Sequence, residues 1–158
     1  MKSSKPVLLA IALACLALLG FALYLQHGLD YLPCPLCVLQ RYAFAGVALI
    51  CLVAALLPAG AARAGAGLGS LAALAGAGVA GWQLWIKSQP SASCGIDPLE
   101  TSLNRIPTAE FLPFLFRADG LCTTEYDPIL GLSVPQWSLL WFIVFVILLG
   151  WTALRRRA

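Results

Sequence analysis

The chain has 158 residues, 61% of them hydrophobic and only 11% charged, with a net charge of +3 and a mean hydropathy of +0.88. Soluble domains carry roughly 25% charged residues, so this composition excludes a water-soluble globular protein. The apolar residues gather in continuous runs rather than alternating, which excludes a β-barrel and leaves membrane-spanning helices of ~20 residues.

The first run is Val7–Leu25, preceded by Lys2 and Lys5. Small residues at Gly20-Phe21-Ala22 resemble a cleavage site, yet 19 apolar residues exceed the ~7–15 of a secretory signal core, so the run is expected to stay as a span. An outer connection, Gln26–Pro33, follows; it holds the only histidine, His27, which reads as a helix-end residue rather than a proton shuttle. The second span is Val38–Leu57, and a short basic connection runs from Pro58 to Arg63. The third, Leu68–Ile86, belongs to a stretch with Gly65, Gly69, Ala73, Ala77 and Gly81 at four-residue spacing. Such a stripe lets a neighbouring helix approach closely within the bundle.

A long outer loop then covers Lys87–Pro135. Asp97-Pro98-Leu99-Glu100 has the cap, first-turn proline and acidic residue of a helix start, and Pro107 is expected to end that helix. Phe111, Leu112, Phe114, Leu115 and Phe116 predict an amphipathic segment, lying in the membrane interface or packed on the bundle. The fourth span is Trp137–Leu154, and Trp82, Trp85, Trp137 and Trp141 mark the outer headgroup level.

Charge sets the expected orientation. Lys2, Lys5, Arg63, Arg155, Arg156 and Arg157 fall on one side, with no acid among them; all seven acidic residues fall on the other. The positive-inside rule puts both termini in the cytoplasm and both longer loops outside. The net charge then reflects topology and anionic lipid, not nucleic-acid binding. The predicted fold class is an all-α membrane protein, one domain over residues 1–158: a four-transmembrane-helix bundle whose long outer loop carries short helices.

Six cysteines remain. Cys15 and Cys51 lie within spans and read as small hydrophobes. Cys34, Cys37, Cys94 and Cys122 face outward, and an even number in an oxidising compartment suggests two disulfides. Three pairings are open; loop and spacing favour Cys34–Cys37 with Cys94–Cys122. Bridging Cys94 to Cys122 closes a ring of about 29 residues, for roughly 3–4 kcal/mol of stabilisation. Closing Cys34 to Cys37 removes little chain freedom, so that pair makes more sense as a two-electron switch. It stands at the start of the second span, where the helix dipole favours a thiolate. Arg41, four residues after Cys37, shares its helix face, and a cation there suits a thiolate or the charge developing on a quinone. Zinc or copper binding is the competing reading for such cysteines, and the oxidising side of the membrane counts against it.

The string Pro33-Cys34-Pro35-Leu36-Cys37-Val38-Leu39-Gln40-Arg41-Tyr42 resembles the active-site segment of the disulfide bond formation protein B (DsbB) family. Gln26-His27, Pro135-Gln136-Trp137, the four spans and the second cysteine pair are similar to that family too. The resemblance implies an inner-membrane enzyme that reoxidises a periplasmic thioredoxin-fold oxidant of the DsbA kind, with ubiquinone or menaquinone as acceptor. It implies catalytic roles for all four outer cysteines. The reduced partner attacks Cys94, Cys122 is released and attacks Cys34, and Cys37 meets the quinone beside Arg41. Two other readings stand beside it: a disulfide-stapled scaffold, which leaves the Cys34–Cys37 spacing unexplained, and a quinone reductase of the vitamin K epoxide reductase kind, in which the redox motif is expected in a later span.

Overall fold

The computed structural model describes residues 4–89, 98–120, 124 and 126–154. Four long helices carry the apolar runs: α1 (Lys5–Gly28), α2 (Pro35–Leu56), α3 (Ala59–Lys87) and, after the outer loop, α7 (Val134–Leu154). All four are long and apolar enough to cross a membrane. Large side chains such as Leu13, Leu49, Leu71 and Ile147 point outward, as expected where lipid rather than water is the solvent.

Helix ends follow local chemistry. Cys34 is the N-cap of α2 and Pro35 its first residue, a place where the missing N–H costs nothing. Pro58, the N-cap of α3, directly follows Leu57, the C-cap of α2, so α2 and α3 form a tight antiparallel pair. The third helix begins well before the apolar run at Leu68, because alanine and glycine continue a helix without adding much hydropathy. At ~1.5 Å per residue its 29 residues exceed the hydrocarbon core, leaving Arg63 near the headgroups. The last helix starts at Val134, where the Ser133 N–H donates to Gln136 Oε1 at 2.7 Å, one half of a capping box.

In the bundle, α3 packs against both α2 and α7, and α1 packs against α2; α1 and α7 scarcely touch. The buried face of α3 is Ala62, Ala66, Gly69, Ala73, Gly76, Ala80 and Gln83. Its spacing alternates four and three, the seam of a left-handed helix pair, rather than the strict four-residue stripe read from the sequence. Gly69 and Ala73 belong to both patterns, and Gly65 also permits close approach, since a Cβ there would fall 2.5 Å from that of Ala54 on α2; Gly81 meets open space.

Among its described residues the outer loop forms three short helices, α4 (Pro98–Asn104), α5 (Pro107–Phe111) and α6 (Pro113–Phe116). Pro107 and Pro113 thus each open a new helix, where Pro107 had been expected only to end one; the Asp97 cap lies outside the described residues. The amphipathic segment divides its faces. Phe116 is buried and stacks on Tyr42 of α2 with centroids 4.2 Å apart, while Phe111 is 83% exposed. The inner face packs on the bundle and the outer face remains available to the interface.

A Cβ built on Gly76 falls 2.5 Å from the Phe142 ring, and that ring is fully buried and stacked on Phe44 at 4.0 Å. Gly76→Ala is therefore expected to destabilise the protein by about 1–3 kcal/mol, read as a lowered unfolding temperature in detergent. Gly78→Ala, where nothing lies within 4 Å, should leave that temperature unchanged or slightly raised.

Candidate redox site

The site is built at the outer end of the bundle, where α1 ends, α2 begins, α3 ends and α7 begins. Cys34 Sγ accepts the Cys37 backbone N–H at 3.3 Å, so the first cysteine caps its own helix with sulfur in the place of the usual oxygen. Cys34 Sγ in turn donates to Cys37 Sγ at 2.9 Å. The two thiols stand close enough to interconvert with a disulfide, and the helix N-terminus favours negative charge on either.

Two amides stand beside the pair, and the sequence reading passed over both. Gln83 of α3 donates from Nε2 to Cys34 Sγ at 3.3 Å and to Cys37 Sγ at 3.2 Å. Gln40, one helical turn beyond Cys37, donates to Gln83 Oε1 at 2.6 Å. They are 3% and 4% exposed. The available signal was a glutamine near the outer end of each of two adjacent spans, since polar side chains at that depth need partners.

Arg41 is buried at the second turn of α2. Its Nη1 donates to Gln26 Oε1 at 2.6 Å and to the Leu115 carbonyl at 2.8 Å, and Nη2 donates to the Ala22 carbonyl at 3.4 Å. The guanidinium therefore ties α1, α2 and the outer loop together, which gives Gln26 of the Gln26-His27 pair a function. His27 itself is exposed on the last turn of α1. Cys15 and Cys51 are fully buried in the central core, well away from these groups in sequence and packed among aliphatic and aromatic side chains.

Cys34, Cys37, Gln40, Arg41 and Gln83 all line one cavity of about 310 Å³, near the lower end of the ~300–1,000 Å³ typical of small-molecule pockets. Its other walls are mostly apolar: Leu18, Phe21 and Leu25 of α1 face Trp137 and Trp141 of α7 across the gap between those helices. Lys87 adds a second cation, and no carboxylate lines it among the described residues. Tyr31 and Tyr126 also line it and stack at 4.2 Å; burial pushes the Tyr126 phenol up. Ile129 and Leu132 form a small bridge over a Leu130–Gly131 turn at the rim, with Leu130 at φ +53° and Gly131 at φ +84°.

Cys94 and Cys122 lie outside the described residues. The chain leading to Cys122 is nonetheless anchored. Asn104 pairs with both backbone groups of Ala118 at 2.9 Å, and the Asp119 and Gly120 N–H groups donate to the Pro33 carbonyl at 3.1 Å. Pro33 immediately precedes Cys34, and Gly120 stands two residues before Cys122.

Comparison with known proteins adds an independent finding. A family model described as "Disulfide bond formation protein DsbB" matches residues 4–152. A disulfide bond formation protein B of Herminiimonas arsenicoxydans is 66% identical over 158 residues, covering all of both chains. One from Cupriavidus necator is 47% identical over 98% of this chain and 95% of its own, and one from Ralstonia nicotianae is 46% identical over 98% and 96%.

Because Arg41 and Gln26 share a buried charge-assisted hydrogen bond, Arg41→Met and Gln26→Met are expected to be non-additive. A double-mutant cycle of thermal stability in detergent should give a coupling of about 1.5–3 kcal/mol. Simple additivity would show that the contact contributes nothing to the bundle.

Proposed function

Since this chain belongs to the disulfide bond formation protein DsbB family, we propose that it is a quinone-dependent protein dithiol oxidase of the bacterial inner membrane. In this reading it takes electrons from a periplasmic thioredoxin-fold dithiol protein of the DsbA kind and delivers them to ubiquinone or menaquinone. The observation that carries the proposal is the opening of Cys34 and Cys37 into an apolar cavity, beside Arg41, in the gap between α1 and α7.

The lining fits a quinone head group. Aromatic and aliphatic walls suit the ring, and Arg41 and Lys87 are cations suited to oxygens that gain electron density. The sparse contact between α1 and α7 suits a lipid-soluble tail leaving sideways into the bilayer. The chemistry a bound quinone supplies is acceptance of two electrons and two protons.

The protein's part is thiol–disulfide exchange. An incoming partner thiolate bonds to Cys94 as the Cys94–Cys122 bond breaks, and Cys122 leaves with the electron pair. The partner's second thiolate then displaces Cys94 and departs as a disulfide. Cys122 bonds to Cys34 as the Cys34–Cys37 bond breaks, and Cys37 becomes the thiolate that faces the cavity. Cys94 then bonds to Cys122 as the Cys122–Cys34 bond breaks, which restores the Cys94–Cys122 disulfide and leaves Cys34 and Cys37 both reduced. Two partner thiols thereby become one disulfide, and two electrons and two protons pass on. The hydrogen bonds from Asp119 and Gly120 to Pro33 support this relay, since they fasten Gly120, two residues before Cys122 in sequence, beside the residue before Cys34. The orientation proposed follows the basic residues, with Lys5 and Arg63 cytoplasmic and the redox end periplasmic.

The test is quinone consumption by purified protein supplied with a reduced thioredoxin-fold dithiol. Wild type should consume one quinone per partner disulfide formed, and Cys37→Ser or Cys34→Ser should reduce turnover to background while leaving membrane insertion intact. Normal turnover in either variant, or no quinone loss by folded wild type, would overturn the reading.

A further inference from the structure

We propose that Gln83 is a catalytic residue of the Cys34–Cys37 pair: a neutral, non-titrating donor that stabilises whichever sulfur holds negative charge. Gln40 is the positioning residue that decides which way the Gln83 amide faces. The proposal deepens the oxidoreductase reading and rests on it for the moment at which the thiolate matters.

The argument begins with what an amide can offer. A glutamine side chain has two N–H groups on one atom and an acceptor on the other, and the two ends are nearly equal in shape. Only the hydrogen-bond partners choose between them. Here Gln40 donates to Gln83 Oε1 at 2.6 Å, which consumes the acceptor end and turns Nε2 toward the sulfurs. The two N–H groups then serve two acceptors, at 3.3 Å and 3.2 Å. If Gln83 were reversed, two nitrogens would face each other at Gln40 and an oxygen would face the thiols.

Exchange at such a pair always produces a thiolate. When an outside thiolate bonds to Cys34, the Cys34–Cys37 bond breaks and its electron pair goes to Cys37; attack at Cys37 leaves the pair on Cys34. Gln83 already donates to both, so either product is met by an N–H without rearrangement, and a bond to a charged sulfur is stronger than one to a neutral thiol. A titrating donor in this place would lose a hydrogen bond or gain a charge as pH changes. The amide does neither. The other ionisable groups lining the cavity are Arg41 on α2, Lys87 on α3, and the phenols of Tyr31 and Tyr126 on the outer connections; α1 and α7 contribute none there among the described residues.

The test needs neither quinone nor partner. Full-length protein in detergent is reduced with dithiothreitol, desalted and treated with iodoacetamide, and the adduct on Cys37 is timed by peptide mass. Removing a hydrogen bond to a thiolate lowers the thiolate fraction, partly offset by higher intrinsic nucleophilicity. Gln83→Met, of similar volume and with no donor, should therefore alkylate about three- to tenfold more slowly at neutral pH. Gln83→Glu keeps the shape and turns a carboxylate toward the sulfurs, so it should be slower still. Gln40→Glu leaves Gln83 untouched but accepts where Gln40 donated, so Gln83 is expected to reverse and the rate to fall as in Gln83→Met. Gln40→Met, which imposes no reversal, should stay closer to wild type than Gln40→Glu.

Wild-type alkylation in folded Gln83→Met and Gln83→Glu overturns the proposal, even where turnover falls. Slow alkylation in the Gln83 variants with a wild-type rate in Gln40→Glu overturns the role of Gln40. Failure of the wild type to consume quinone would instead sink the functional reading and leave these rates standing.

Discussion

The close approach of α3 to its neighbours is the constraint on which the rest of the structure depends. Lipid chains are as apolar as leucine, so helices in a bilayer associate through packing and hydrogen bonds rather than by escaping solvent. The seam of Ala62, Ala66, Gly69, Ala73, Gly76 and Ala80 supplies that packing, because hydrogens and methyl groups hold no neighbour away. Gln83 is the next residue along the same seam. The geometry that brings α2 and α7 against a run of small residues also delivers an amide, at the last step, to the Cys34 and Cys37 sulfurs. Stability and redox chemistry share one helix face.

Burying polar groups at this depth requires that each finds a partner, and among the described residues no buried side-chain nitrogen or oxygen lacks one. Arg41 illustrates the cost and its compensation. A guanidinium below the headgroups would be expelled toward water unless held, and it is held by an amide oxygen of α1, a carbonyl of α1 and a carbonyl of the outer loop. The bond to Leu115 holds the loop helices down over the start of α2, where Phe116 meets Tyr42. The charge that lines the cavity thus also helps to close the cavity's surroundings.

Much of this was legible in the sequence. Hydropathy is additive along a span, so four helices could be read from runs of apolar residues, although α3 was read short because alanine and glycine contribute little to that sum. The Cys34–Cys37 spacing carries its own chemistry, and Arg41 stood out as a cation inside an apolar run. Gln40 and Gln83 did not, because an amide is neutral and its meaning lies in what it faces 43 residues away in sequence. The Leu130–Gly131 turn was equally hidden: a leucine at positive φ, 89% exposed, has no propensity signal. The packed and exposed faces of the Phe111–Phe116 segment could be named from the sequence only as alternatives, since which phenylalanine meets Tyr42 is decided by tertiary contact.

On the proposed function, the location of the pair reconciles two opposed demands. Sulfurs that exchange electrons with a protein must be near water, and sulfurs that meet a lipid-soluble acceptor must be reached from the bilayer. Placing both cysteines at the first turn of α2 addresses the first demand, because that helix end stands at the end of the bundle, beneath the outer loop, and brings its own partial positive charge. Leaving α1 and α7 apart suits the second, because residues of both helices line the cavity and few contacts join them. Stabilising the thiolate with a second buried cation directly on the sulfurs would require another desolvated charge and its counterions. The Gln83 amide provides the hydrogen bonds at the smaller cost of a neutral group. The division leaves the permanent charge of Arg41 to the cavity wall and the redox pair to a donor without charge, which suits a site whose sulfurs alternate between neutral and anionic states.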